Sequence, residues 1–170
     1  MTKSRQAYPT DLNDTEWSII APYFSEEPIT GRPREHPWLE ILDAIFYITR
    51  SGCAWRFLPH DMPPWKTVYH YFRLWRKDGT WVRMNTDLRE ALREKEGRNR
   101  QPSAAILDSQ SVKTVEGGDE RGYDAGKKTN GRKRHLVVDT LGLILIVLVT
   151  AANVQDRDGP KQVLRELIRR

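Results

Sequence analysis

Asp108 ends a short apolar run, residues 104–107 (AAIL), and is followed at once by Ser109, Gln110, Ser111 and, a little later, Thr114. A carboxylate mounted at the end of a strand is held firmly while its oxygens face a groove. Such a mount suits a hard divalent cation like Mg2+, which prefers oxygen ligands. Two such ions can clamp the attacking and leaving oxygens of a phosphodiester. An isolated aspartate at a strand end more commonly caps a turn through nearby backbone, so residue type alone does not single out Asp108. Asp139 suits that plainer role, because it opens the turn sequence DTLG. Asp156 and Asp158 suit a helix N-terminus, where negative charge is favourable.

The second chemistry is cationic. The stretch GYDAGKKTNGRKRH crowds Lys127, Lys128, Arg132, Lys133 and Arg134 into a glycine-rich segment that reads as a loop ahead of a strand. Like charges so close repel unless anions relieve them, so phosphate contact is expected; a charged loop without a ligand is the alternative. Another set, Lys66, His70, Arg73, Arg76 and Lys77, recurs on one face of a helical pattern whose other face carries Val68, Tyr71, Phe72 and Trp75. In a helix-turn-helix-like module such a helix lies in the major groove while cations neutralise phosphates. The solvated outer face of a helical bundle would look the same. His36, His60, His70 and His135 are scattered, without the pairing of a metal site.

These groups need elements to position them. Residues 12–97 read as helical. Asn13 or Asp14 can cap a first helix with Trp17, Ile20 and Ala21 on one face, ending near Pro22. A loop with Pro28, Gly31 and Pro33 follows. Pro37 fits the first turn of a second helix, Trp38, Ile41, Leu42, Ile45 and Ile48 form its stripe, and Gly52 sits where a C-terminal cap belongs. A connector broken by Pro59, Pro63 and Pro64 leads to the basic third helix, which Gly79 ends. A fourth, over residues 81–96, places Trp81, Met84, Leu88 and Leu92 on one face.

Gly97 and Pro102 then mark a boundary, giving a helical domain over 10–97 and a second domain over 98–170. Beyond it the period changes: a short buried strand over 104–107, a strand over 135–139, a tight turn, and a run over 143–150 typical of a strand buried on both faces. A helix follows, with Val163, Leu164, Leu167 and Ile168 as its apolar side. The expected fold class is α+β, an all-α domain before an α/β one.

The totals set limits on function. A formal net charge of +5 over 170 residues makes a polyanionic partner plausible. Cys53 is the only cysteine, which excludes an internal disulfide and a multi-cysteine zinc site and suits a reducing cytosol. The N-terminus lacks the apolar core of a signal peptide, and the apolar run over 141–152 falls short of the roughly 20 residues needed to span a bilayer. The expected setting is cytoplasmic, at the nucleoid, with no membrane partner. Six tryptophans suggest a core filled with large rings, base stacking being the alternative.

The segments LNDTEWSIIAPYF and GRPREHPWLEILDAIFYITRSGCAWRFLPHDMPPWKTVYHYFRLWRKDGTW resemble the N-terminal helical domain of one group of bacterial insertion-sequence transposases. AILDSQSVKT and GRKRHLVVDTLGLILIVLVTAANVQDRDG resemble the start of the catalytic domain of the same group. The blocks occur in the expected order over residues 10–168. The resemblance implies a ribonuclease-H-like catalytic fold with an Asp-Asp-Glu triad, Mg2+ as cofactor, and action on double-stranded DNA, both element ends and target, as a homo-oligomer. Asp108 matches the first triad member and would be both catalytic and a metal ligand. Asp156 matches the family's A-N-x-x-D block and is not taken as the second. The second Asp and the Glu would lie further on than the residues here, so the sheet is expected to keep an open edge and the chain to be inactive alone, as a frameshift product or a remnant. A non-catalytic DNA-binding protein that inhibits the full enzyme, or a nuclease of similar fold acting on other DNA, are the competing expectations.

Overall fold

The computed structural model describes residues 5–24, 34–114, 121–155 and 158–168. The expected loop at Pro28, Gly31 and Pro33 lies outside these residues, as does Asp156. The chain forms two compact units, Met1–Asn85 and Thr86–Arg170.

In the first unit, Asn13 caps α1 (Asp14–Ile20): its side chain accepts from the Glu16 amide, and the Glu16 carboxylate accepts from the Asn13 amide. This reciprocal pair satisfies two otherwise orphaned donors, and the helix tightens into a 3-10 turn over Ala21–Phe24. α2 (Trp38–Ser51) starts one residue after Pro37, which is the cap and not part of the first turn as expected. Gly52 closes α2 at φ 68°, a left-handed value that costs other residues about 1 kcal/mol or more. A connector with a 3-10 turn at Trp55–Phe57 leads to α3 (Trp65–Lys77), and only Asp78 and Gly79 separate α3 from α4 (Thr80–Lys95). Ile41, Leu42, Ala44, Ile45 and Val68 form the aliphatic core. Around Trp75 the rings of Phe24, Trp38 and Trp81 meet edge to face at 4.5, 5.4 and 5.6 Å. Trp38, Trp75 and Trp81 are thus packing residues.

The second unit holds the rest of α4, one antiparallel sheet and α5 (Asp158–Ile168). Its strands are β1 (Ala105–Lys113), β2 (Gly122–Asp124), β3 (Thr129–Asp139) and β4 (Ile144–Ala151). β3 is central. β1 pairs along its full length on one side, from Ala105 opposite Asp139 to Lys113 opposite Gly131. β4 and then β2 pair on the other. A side chain at Gly131 would put a Cβ 2.0 Å from the Val112 carbonyl oxygen, so only glycine allows this approach of β1 and β3. Val137, Ile146 and Val163 form the core between sheet and α5.

Several expectations need correction here. The strand at 104–107 is longer than expected and is an edge strand, with Ile106 59% exposed. β4 is buried on one face only: Ile146 and Thr150 point inward, while Val147 and Val149 remain exposed. One covered face of an antiparallel sheet gives this alternation. In α5, Val163 is buried but Leu164 and Ile168 are exposed, and in α4 Leu92 is exposed while Arg89 and Arg93 are buried. Arg93 takes the inward position because Asp139 needs it: the guanidinium lies 2.5 Å from a wholly buried carboxylate. Among the described residues no helix is long and apolar enough to cross a membrane.

Candidate metal carboxylate and nucleic-acid surfaces

The alternation of β1 decides where Asp108 points. It stands opposite Leu136 on β3, so it shares a sheet face with Gln110 opposite Arg134 and Val112 opposite Arg132. That face is the one α5 leaves uncovered. The side chain is exposed, and its Oδ1 accepts the amide of the next residue, Ser109, at 2.8 Å. Its position on a nine-residue strand paired throughout fixes the backbone, while the carboxylate keeps lone pairs for another partner. The polar residues that follow continue β1 and stand against the neighbouring strand: Ser109 faces His135 and Ser111 faces Lys133 across the ladder. Among the described residues no three His, Cys, Asp or Glu side chains gather as a metal site. Asp108 therefore fits as one oxygen ligand, and the residues described do not complete a divalent-ion site.

The basic segment is also largely strand. Only Ala125 to Lys128 form a turn, with Lys128 at φ 49°; from Thr129 the chain is β3. The two-residue period then sorts the cations. Arg134 points outward and is exposed, Arg132 half so, and both lie on the face of Asp108. Lys133 points the other way and is buried, with its ammonium 3.3 Å from Asp124 and donating to the Val154 carbonyl at 2.8 Å. Lys133 is thus a structural residue and leaves the set of phosphate contacts. Lys127 and Lys128 remain exposed, the former donating to the Ser109 carbonyl at 3.2 Å.

Asp124 is the acidic residue the sequence reading passed over. It accepts from the Ser111 hydroxyl at 2.7 Å and the Lys127 amide at 3.1 Å. The Ser111 hydroxyl first, then that amide and Lys133, hold its carboxyl well below the usual carboxylate range. The signal for it was the alternation itself: Ser111 and Lys133 are cross-strand neighbours, and a buried ammonium needs an anion. Asp139 opens its turn as expected, accepting the amides of Leu141 and Leu143 at 2.9 Å each. Burial alone would raise its carboxyl, yet the Leu143 amide, Arg93 and the Leu141 amide outweigh that and lower it. His135 is fully buried, with Nε2 3.2 Å from the Thr150 hydroxyl.

In the first unit, α3 turns Val68 and Trp75 inward and Lys66, His70, Arg73, Arg76 and Lys77 outward, all five exposed. His70, Arg73, Leu74, Arg76 and Lys77 line a depression of about 400 Å³. Arg73 lies 5.9 Å from the Tyr69 ring centroid, which steadies its guanidinium over the helix surface. The connector from Gly52 to Pro64 is longer than the 3–4-residue turn of a simple helix-turn-helix.

A helical unit with a basic helix, followed by a sheet whose first strand carries an outward aspartate, has the order of parts of a DDE transposase. Two family models match in that order: residues 12–85 match "Putative transposase of IS4/5 family (DUF4096)" and residues 99–170 match "Transposase DDE domain". Together they place the chain in the IS4/5 family of DDE transposases, whose catalytic domain is ribonuclease-H-like. No curated protein and no solved structure matches the chain.

Proposed function

We propose that this chain acts in insertion-sequence transposition: residues 10–97 bind double-stranded DNA, with the outer face of α3 against the phosphates, and residues 98–170 supply Asp108 to a Mg2+ site that cuts and joins strands. The outward carboxylate of Asp108 on a fully paired strand carries the reading, because a metal ligand must be rigid yet unspent. Arg132 and Arg134 on the same face, with Lys127 and Lys128 in the turn before β3, would draw the phosphate backbone towards it. Action on element ends and target as a homo-oligomer follows from the same reading.

That no three-ligand group gathers among the described residues favours a second reading: these residues bind DNA and do not cut it unaided, and so compete with the complete enzyme for its sites. Nicking of element-end DNA with and without Mg2+ separates the two. Under the first, nicking needs Mg2+ and is lost in Asp108→Ala with binding unchanged. Binding without nicking in both proteins supports the second. Absence of binding in both refutes each.

A further inference from the structure

We propose that Phe57 is an apolar wedge that inserts between base steps of duplex DNA held on α3; this rests on the reading that α3 faces DNA. Phe57 is 77% exposed, more than any other large hydrophobic residue described in the first unit. Singly exposed apolar residues are ordinary, but the rest of this turn is firmly anchored. Trp55 packs on Tyr69 and Phe72 of α3 with centroids 5.0 and 5.2 Å apart, and Leu58 and Met62 are buried. The Phe57 amide itself donates to Ala54 at 2.8 Å, closing the 3-10 turn. The ring is therefore held out on a fixed backbone, where lost chain freedom adds little to the cost of binding.

Its neighbours identify the partner. Arg56 lies 5.6 Å from the Trp65 ring at the start of α3, and Arg73 lies over Tyr69, the ring that Trp55 packs on. The turn that carries the exposed Phe57 thus sits beside the flank of α3 that carries Lys66 and Arg73. A protein groove would accept the phenyl but would have to desolvate these cations. Duplex DNA offers both counterparts: phosphates for the cations, and a base step into which an apolar side chain can wedge, unstacking and kinking the duplex. Stacking on bases adds affinity without adding charge.

The test uses the full chain with a mixed-sequence duplex carrying 2-aminopurine, and the same duplex with a two-base bulge that is already unstacked. The expected result is a rise in 2-aminopurine fluorescence and tighter binding of the bulged duplex. Phe57→Ala should lose the fluorescence rise and weaken bulged-duplex binding by about tenfold, with an unchanged salt slope; Phe57→Trp should keep both. Equal binding and fluorescence in wild type and Phe57→Ala would overturn the wedge and leave α3 as the DNA face. So would a Phe57→Ala protein that binds DNA normally but loses self-association in sedimentation, since the ring would then belong to a protein interface. If wild type binds neither duplex, the DNA reading of α3 fails and the wedge with it.

Discussion

Neutralising Arg73, Arg76 and Lys77 together, as Arg73→Gln, Arg76→Gln and Lys77→Gln, tests whether α3 meets phosphates. All three side chains are exposed on one helix face, and none is needed for the core. Each phosphate neutralised releases counterions, so binding falls with salt by a logarithmic slope of about 0.9 per contact. Three contacts make the wild-type slope steeper than the variant's by about 2.7. Between about 50 and 200 mM salt the wild type should then lose roughly 40-fold more affinity than the variant. Fluorescence anisotropy of a labelled duplex across a KCl series reads both slopes. Arg76 and Lys77 also sit in the last turn of α3, where positive charge offsets the helix dipole by about 0.3–1 kcal/mol each. A small drop in melting temperature is expected, and circular dichroism at the binding temperature confirms that the variant is folded. A folded variant with the wild-type slope would refute the placement of DNA on α3, whatever its affinity.

Three further predictions concern the scaffold. Arg93→Met strands the buried Asp139 carboxylate and should destabilise the second unit by about 3–5 kcal/mol, against little for Leu92→Ala; urea unfolding followed by hydrogen exchange at β3 amides measures it, and a loss under 1 kcal/mol would sink the account. Gly159→Ala should destabilise by about 1–3 kcal/mol, although alanine normally favours a helix, because the added Cβ would lie 2.1 Å from the His135 ring; a stabilised variant in thermal melts would show that α5 can move off that ring. Burial raises the Asp43 carboxyl from 3.8 to about 6, outweighing the Leu12 amide and Arg5, which lower it, while the Asp11 carboxylate adds to the rise. The folded chain then holds more protons than the unfolded one between those values, so this group's contribution is full below about pH 4 and is lost as pH rises through 6. The loss is at most roughly 3 kcal/mol. Asp43→Asn should flatten that part of the stability profile, and an unchanged profile would remove Asp43 as its source.

The helices were legible because their signals are local. Asn13 with Glu16, the stripe from Trp38 to Ile48, and Gly52 each act within a few residues of chain, and the structure uses them nearly as the spacing implies. What failed on helices was the burial of Leu164 and Ile168 on α5 and the rotation of α4. Leu92 is the better core residue by type, but Arg93 turns inward because Asp139, 46 residues along the chain, is buried and charged. No window of sequence contains that pair. Strand burial failed for the same reason. The runs at 104–107 and 143–150 look fully buried because their residues are apolar, yet exposure depends on which layers cover the sheet, and α5 covers only one face.

The candidate site shows how far a period of two can go once a strand is known. Read as a loop, the segment GRKRH offers three equivalent cations. Paired as β3, it offers two on the side of Asp108 and one that is buried against Asp124. A register slip of one residue would exchange the sets, turning Arg132 and Arg134 inward and leaving Lys133 outside. Gly131 opposes that slip, since any side chain there would collide with the Val112 carbonyl. The direction of the arginines, and so the charge around Asp108, therefore depends on a glycine that contributes no side chain of its own.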